Sequence, residues 1–338
     1  MTQTNAAAPI AVTMGDPAGV GPEVCAAALV DAQVLAACTP VLIGDTGRMR
    51  RAIELMGVQA EVHEISSPDQ AQPGPHRIEV LQVGELPADL AWGAVSPLAG
   101  HAAYRYIEEA ARYAVAGAVS AIATAPINKA ALHAAGHVFP GHTELLAHLT
   151  GTEEVSMMLT TPQLRVIHVT THIGLVDAIE RIDAPLVERT VRRGIEALQR
   201  AGIERPRVGV CAINPHAGEN GLFGRGEEAT KIQPAIDRLQ AEGLDVRGPL
   251  PADTAFYLSS RDEFDLIVAM YHDQGHGPVK VLGIEEGVNV TVGLPVIRTS
   301  VDHGTAFDIA GRGTVMPASM VQALLQAADL AASAAAVS

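Results

Sequence analysis

Short apolar runs alternate with segments of helical period along most of the chain, and no other feature restricts its fold as much. Residues 10–13, 41–43, 121–125, 208–213 and 266–270 read as strands. The last two are continuously apolar, as strands covered by helices on both faces are. Helical patterns follow Glu23, run through residues 48–55, and extend over residues 100–116. Strand and helix repeated in this way build βα units with parallel strands. Residues 157–160 and 165–170 flank a Thr161-Pro162-Gln163 turn, which inserts a hairpin into that pattern. The expected fold is therefore α/β with mixed, mostly parallel sheets, closing with an Ala-rich helix after Leu324.

Charge narrows the partners. A formal net charge of -15 argues against nucleic acid and anionic membrane, both of which need a basic surface. No apolar run reaches the roughly 18 residues a bilayer span requires, and the opening MTQTNAAAPI lacks a signal peptide's basic and apolar segments, so the expected location is cytoplasmic. Cys25, Cys38 and Cys211 form no CxxC pair and read as core residues. Of 23 Lys and Arg residues only Lys129, Lys231 and Lys280 are Lys. Lys231 stands four residues after Glu227 on a helical pattern, which suggests a solvated ion pair.

Three strands run into polar clusters that each carry a histidine: Thr170-Thr171-His172, Asn214-Pro215-His216-Ala217-Gly218-Glu219, and Tyr271-His272-Asp273-Gln274-Gly275-His276. Ligands of open α/β sheets bind beyond the carboxyl ends of strands, so His172, His216 and His272 are candidates for one divalent metal site with open coordination positions. Asp273 is placed to orient His272 or to act as a general acid-base.

Pro140-Gly141-His142-Thr143-Glu144 precedes a helical pattern near Leu145, with Thr143 as its expected cap and backbone amides that attract anions. Lys280, Asn289 and Arg298 follow the third histidine cluster and together suit a phosphate and a carboxylate. The glycine loop from Gly15 to Glu23 lacks GxGxxG spacing and does not support a Rossmann assignment, although a ligand could approach so tight a loop.

In order along the chain, MGDPAGVGPE, TAPINK, GHTE, NPHAGE, PADT, YHDQG, GVNVTVGLP and RTSVDHGTAFDIAG resemble the motifs of the 4-hydroxythreonine-4-phosphate dehydrogenase family over residues 10–313. The resemblance implies two α/β/α lobes of the isocitrate and isopropylmalate dehydrogenase type, with a cleft between them. It implies residues 1–133 plus 297–338 as the NAD-side lobe, residues 134–296 as the lobe of metal ligands and dimer contacts, and a homodimer with shared active sites. It further implies NAD and a divalent ion (Zn, Mg, Co or Mn) as cofactors, with His172, His216 and His272 as metal ligands. His142, Thr143, Lys280, Asn289 and Arg298 match substrate-binding positions, and Lys280, Asp273 and Asp253 are catalytic candidates with Lys129 nearby. Gly15, Asp16, His303, Gly304, Asp308 and Gly311 are the cofactor-binding candidates.

His276, in GHGPVK, stands where the biosynthetic branch has a hydrophobic residue. With NPHAGENGLFG, this is similar to a branch acting on D-threonate or D-erythronate 4-phosphate, and the imidazole could meet a substrate hydroxyl at C2. The expected reaction is oxidation and decarboxylation of a 4-phosphorylated 3-hydroxy acid. The rival readings are a metallohydrolase using the same histidines, which no HExxH motif favours, and a terephthalate dihydrodiol dehydrogenase, which departs from the GHTE retained here.

Overall fold

A computed structural model describes residues 8–283 and 287–337. Residues 1–7, on which the signal-peptide reading rests, lie outside that range. The chain divides into two compact units, residues 1–155 with 294–335 and residues 156–293 with 336–338.

In the first unit β1 (Ile10–Thr13), β2 (Pro40–Gly44), β3 (Glu61–Ile65), β4 (Arg77–Gln82), β5 (Ala121–Thr124) and β12 (Ile297–Ser300) form a sheet in the order β3-β4-β2-β1-β5-β12. Every pairing is parallel. β1, β2 and β5 are buried along their whole length, which is why their sequences are apolar without alternation. Helices start where short polar side chains cap them: Asp45 accepts from Arg48 N at 2.6 Å before Thr46–Met56, and Asp31 from Gln33 N at 2.8 Å before Ala32–Ala37. Helix Pro97–Val115 buries Tyr106 and Ile107 in the core.

The sequence reading ended the first lobe at residue 133, whereas this unit continues through Val155. The reason is helix His142–Thr150, whose Leu145 and Leu146 are fully buried in the first unit's core, each contributing on the order of 2 kcal/mol.

The second unit contains β6 (Ser156–Thr161), β7 (Leu164–His168), β8 (Val208–Cys211), β9 (Val246–Leu250), β10 (Leu266–Ala269) and β11 (Val288–Val292), ordered β11-β6-β7-β10-β8-β9. β6 and β7 form the expected hairpin, β11 pairs antiparallel with β6, and the remaining pairs are parallel. The mixed, mostly parallel α/β fold is thus present. The closing helix starts at Ala318, earlier than expected. Among the described residues no helix is long and apolar enough to cross a membrane.

Candidate active site

The three histidine clusters leave the carboxyl ends of β7, β10 and β8, which are adjacent and parallel in the second unit. Gln274 ties two of these ends together, accepting from Met270 N and donating to Ala212 O, both at 2.7 Å. The rings of His172 and His272 lie 5.6 Å apart. His272 opens helix His272–Gly283, and its Nδ1 is 2.7 Å from Asp273 Oδ1. An ionised carboxylate can only accept, so Nδ1 carries the proton and Nε2 the lone pair that a metal needs.

His216 is held differently. It begins a run through Asn220 with φ between 41° and 78°, in which only Gly218 is glycine. A left-handed conformation costs roughly 1–2 kcal/mol at each of the other positions. Glu228 opposes that cost from below: its buried carboxylate accepts from Ile213 N at 3.1 Å, from Asn214 N at 2.7 Å, and from the Asn214 side chain. The His216 ring adjoins Phe223 at 6.2 Å. Among the described residues no group of three His, Cys, Asp or Glu side chains is already arranged to hold a metal ion.

His276 follows His272 by one helical turn, and the two rings stack at 3.7 Å and 12°. Its Nδ1 lies 3.1 Å from Nε2 of the buried His168 and 3.2 Å from His272 O. Sequence reasoning passed over His168, although a histidine ending an apolar strand was a signal. It also passed over Glu228. Lys231, expected to pair with Glu227, instead donates to Ile179 O, Glu180 O and Ile182 O at 2.7 to 3.3 Å, closing the carboxyl end of helix Leu175–Arg181.

Lys280 is half-buried on the same helix as His272. Asn289 lies on β11 with a buried Oδ1 that meets no hydrogen-bond partner among the described residues. Asp253 is exposed, its carboxylate accepting from Thr254 N at 2.7 Å.

In the first unit Arg298, on β12, is 2% exposed and donates to Thr124 Oγ1 on the neighbouring β5 at 2.8 Å. Burial pushes its guanidinium pKa down to about 9, against the attraction of Glu144. Burial, and then the charge of Arg298, hold the His142 imidazole well below its usual range, and His142 Nε2 meets no partner among the described residues. His142 begins its helix and Gly141, rather than Thr143, takes the cap position, so the cap residue offers the first amides no side-chain acceptor. Lys129 is exposed, with its side chain beside Gly141. A buried cation, a neutral imidazole and uncapped amides suit an anion.

The two glycine-containing motifs of this unit pack on each other. Glu23 accepts from Gly311 N at 2.9 Å and Gly313 N at 2.7 Å, and Val20 N donates to Thr305 O at 3.0 Å. Gly15 and Asp16 are wholly buried, with the Asp16 carboxylate accepting from Ala18 N at 2.8 Å. A side chain on Gly311 would meet the Trp92 ring. Of the cofactor candidates, Gly304 and Asp308 are exposed and His303 is half-buried.

Residues 36–327 match the family model described as pyridoxal phosphate biosynthetic protein PdxA. A D-threonate 4-phosphate dehydrogenase from Cupriavidus necator is 59% identical over 322 residues, covering 95% of this chain and 97% of the relative. A 4-hydroxythreonine-4-phosphate dehydrogenase from Trichlorobacter lovleyi is 47% identical over 330 residues, covering 96% and 97%. The crystal structure of a 4-hydroxythreonine-4-phosphate dehydrogenase from Burkholderia phymatum is 60% identical, with a TM-score of 0.88 over 96% of this chain and 99% of that one.

Proposed function

This chain belongs to the PdxA family, and from that premise we propose that it oxidises, with NAD and a divalent metal, the secondary alcohol of a 4-phosphorylated 3-hydroxy acid and releases carbon dioxide from the product. The dehydrogenases among its relatives support oxidoreductase chemistry on a phosphorylated hydroxy acid. D-threonate or D-erythronate 4-phosphate is the preferred substrate in this reading, ahead of 4-hydroxy-L-threonine 4-phosphate.

The observation that carries it is the placement of His172, His272 and His216 beyond three adjacent parallel strands, with Asp273 fixing the His272 tautomer. Neutral imidazoles are suitable ligands for a borderline divalent ion, and these three residues would hold it. When bound, the metal would supply Lewis acidity at the alcohol oxygen and NAD would accept hydride from C3.

The chain's own groups handle protons and charge. Lys280 takes the hydroxyl proton as the C3–H hydride leaves, and returns a proton to carbon after the C–C bond to the carboxylate breaks. Asp273 is engaged with His272 and acts by orienting it. Asp253 stands as a second candidate for proton transfer. Arg298, His142, Thr143 and the uncapped amides of helix His142–Thr150 take the substrate's anionic groups, and Asn289 offers a buried amide. His303, Gly304 and Asp308 border the adenosine of NAD, while Gly15, Asp16 and Gly311 hold the backbone that supports them. The enzyme works as a cytoplasmic homodimer in this reading.

The test is reduction of NAD followed optically with each phosphorylated acid, before and after removal of divalent ions by a chelator. Metal-dependent NADH formation is expected. Turnover with NAD left unreduced would instead assign a metallohydrolase.

A further inference from the structure

In the first unit, helix Pro97–Val115 runs so close to helix Lys129–Ala134 that a methyl on Gly100 would collide with the carbonyl of Ala131. This close approach brings His101 to His137, in the segment that leads to Gly141 and His142. His101 Nδ1 lies 3.0 Å from His137 Nε2, and the ring centroids stand 5.3 Å apart with planes 19° from parallel. At that separation both nitrogens lie on the line between the rings, so the imidazoles meet edge to edge. His137 is already oriented. Its ring stacks on Tyr104 at 3.7 Å and 3°, the Tyr104 hydroxyl donates to Glu108 Oε1 at 3.2 Å, and the His137 backbone N–H donates to Leu132 O at 3.1 Å. The same segment is tied again where His133 Nε2 meets Phe139 O at 2.8 Å. His101 is exposed, so its ring can turn.

We propose that His101 and His137 form a second metal site, a two-histidine site for a transition-metal dication of the zinc type, with water filling the remaining coordination positions. Among the described residues no third His, Cys, Asp or Glu is arranged with them, which is why water completes the shell. Imidazole nitrogen is a preferred ligand of such ions. An ion bound to both rings at about 2.0–2.1 Å holds the nitrogens roughly 3.3 Å apart at a tetrahedral angle, so the pair opens slightly and His101 swings while His137 stays on Tyr104. The hydrogen now between the nitrogens passes, through water, to the outer nitrogen of its own ring, and both rings remain neutral. Because His137 is ordered beforehand, little conformational freedom is lost on binding. The net charge of -15 and the neighbouring Glu108 carboxylate favour a cation here. The ion would pin helix Pro97–Val115 to the segment entering the His142 helix. None of this depends on the three-histidine centre.

Zinc binding to the full-length, chelator-stripped protein tests the proposal without turnover. Equilibrium dialysis at one fixed pH should find two zinc ions per chain in wild type and one in His216→Ala, whose other centre has lost a ligand. In His216→Ala that remaining ion should raise the melting temperature, since an ion bound only by the folded chain stabilises it. Adding His101→Ala, or His137→Phe, which keeps a ring on Tyr104, should weaken its binding about tenfold or more and abolish the thermal shift. Magnesium, which prefers oxygen ligands, should give no shift in His216→Ala. Zinc retained at full affinity in both double variants, or no zinc bound by His216→Ala, overturns the inference. Two ions per chain in His216→Ala, one of them lost on adding His101→Ala, would sink the three-histidine centre and leave this second site standing.

Discussion

The carboxylate of Glu228 accepts the backbone N–H of Asn214 at 2.7 Å, two residues before the left-handed run that carries His216. Glu228 itself sits in a π-helical turn, Glu228–Ile232, a geometry often retained at functional positions. Because this one buried side chain also holds Ile213 N and the Asn214 amide, its loss leaves several partly buried donors without their acceptor. Glu228→Ala is expected to lower stability by about 2–4 kcal/mol and to weaken divalent-metal binding by at least tenfold. Urea unfolding and metal titration calorimetry measure both; normal metal affinity in a folded variant would remove Glu228 from the site.

His216 is a candidate ligand in a backbone conformation that suits glycine. His216→Gly should therefore separate the two properties, raising or preserving the stability of the metal-free protein by up to about 1 kcal/mol while abolishing metal binding and turnover. His216→Ala should lose the metal as well, without the relief of strain. Stoichiometric metal in either variant would refute the three-histidine site.

These residues mark how far the sequence could be read. Strand-end histidines were legible because an apolar run that stops abruptly in polar residues is a local pattern. The hairpin before β7 was legible for the same reason. Long-range polar pairings were not: Glu228 lies 14 residues from Asn214 and His168 lies 108 from His276, and neither pairing leaves a periodic trace. Lys231 was read as a local ion pair because helical spacing is all the sequence offers, whereas its ammonium closes another helix. The glycine loop was seen, but its burial against the 305–313 segment through Glu23 depends on packing that only the fold discloses.

Arg298 is a buried cation whose charge burial disfavours, against the attraction of Glu144, and an anionic group of the substrate would add to that compensation. Arg298→Met keeps bulk and removes charge. It should reduce kcat/KM for the phosphorylated acid by about 100-fold or more, equivalent to roughly 3 kcal/mol of lost charge-assisted hydrogen bonding. Inorganic phosphate should raise the melting temperature of wild type more than that of the variant. Equal phosphate stabilisation of both would move the anion site elsewhere.

Substrate preference is predicted from the relatives together with the NPHAGENGLFG and GHGPVK segments. D-Threonate or D-erythronate 4-phosphate should be oxidised with a kcat/KM at least equal to that for 4-hydroxy-L-threonine 4-phosphate under one metal and one pH. The dephosphorylated acids should be far poorer, since the binding energy of a remote charged group is used at the reacting carbon. A tenfold or greater preference for the amino acid would overturn the assignment.

Asp16 gives the protein a pH dependence of stability that is independent of any ligand. The residue is fully buried, its Oδ2 meets no partner among the described residues, and burial raises its pKa from 3.8 to about 6, against smaller opposing effects of the Ala18 amide and Arg48. The folded chain therefore binds this proton more tightly than the unfolded chain. The resulting stabilisation is full below the unfolded value and is lost as pH rises through about 6, a change on the order of 3 kcal/mol. Asp16→Asn retains an oxygen to accept from Ala18 N and removes the titration. Its stability relative to wild type should thus climb steadily between about pH 4 and pH 7, by urea unfolding at fixed temperature. Parallel stability curves for the two proteins across that window would show that the buried carboxyl is already ionised, with its charge met by a partner such as Arg48.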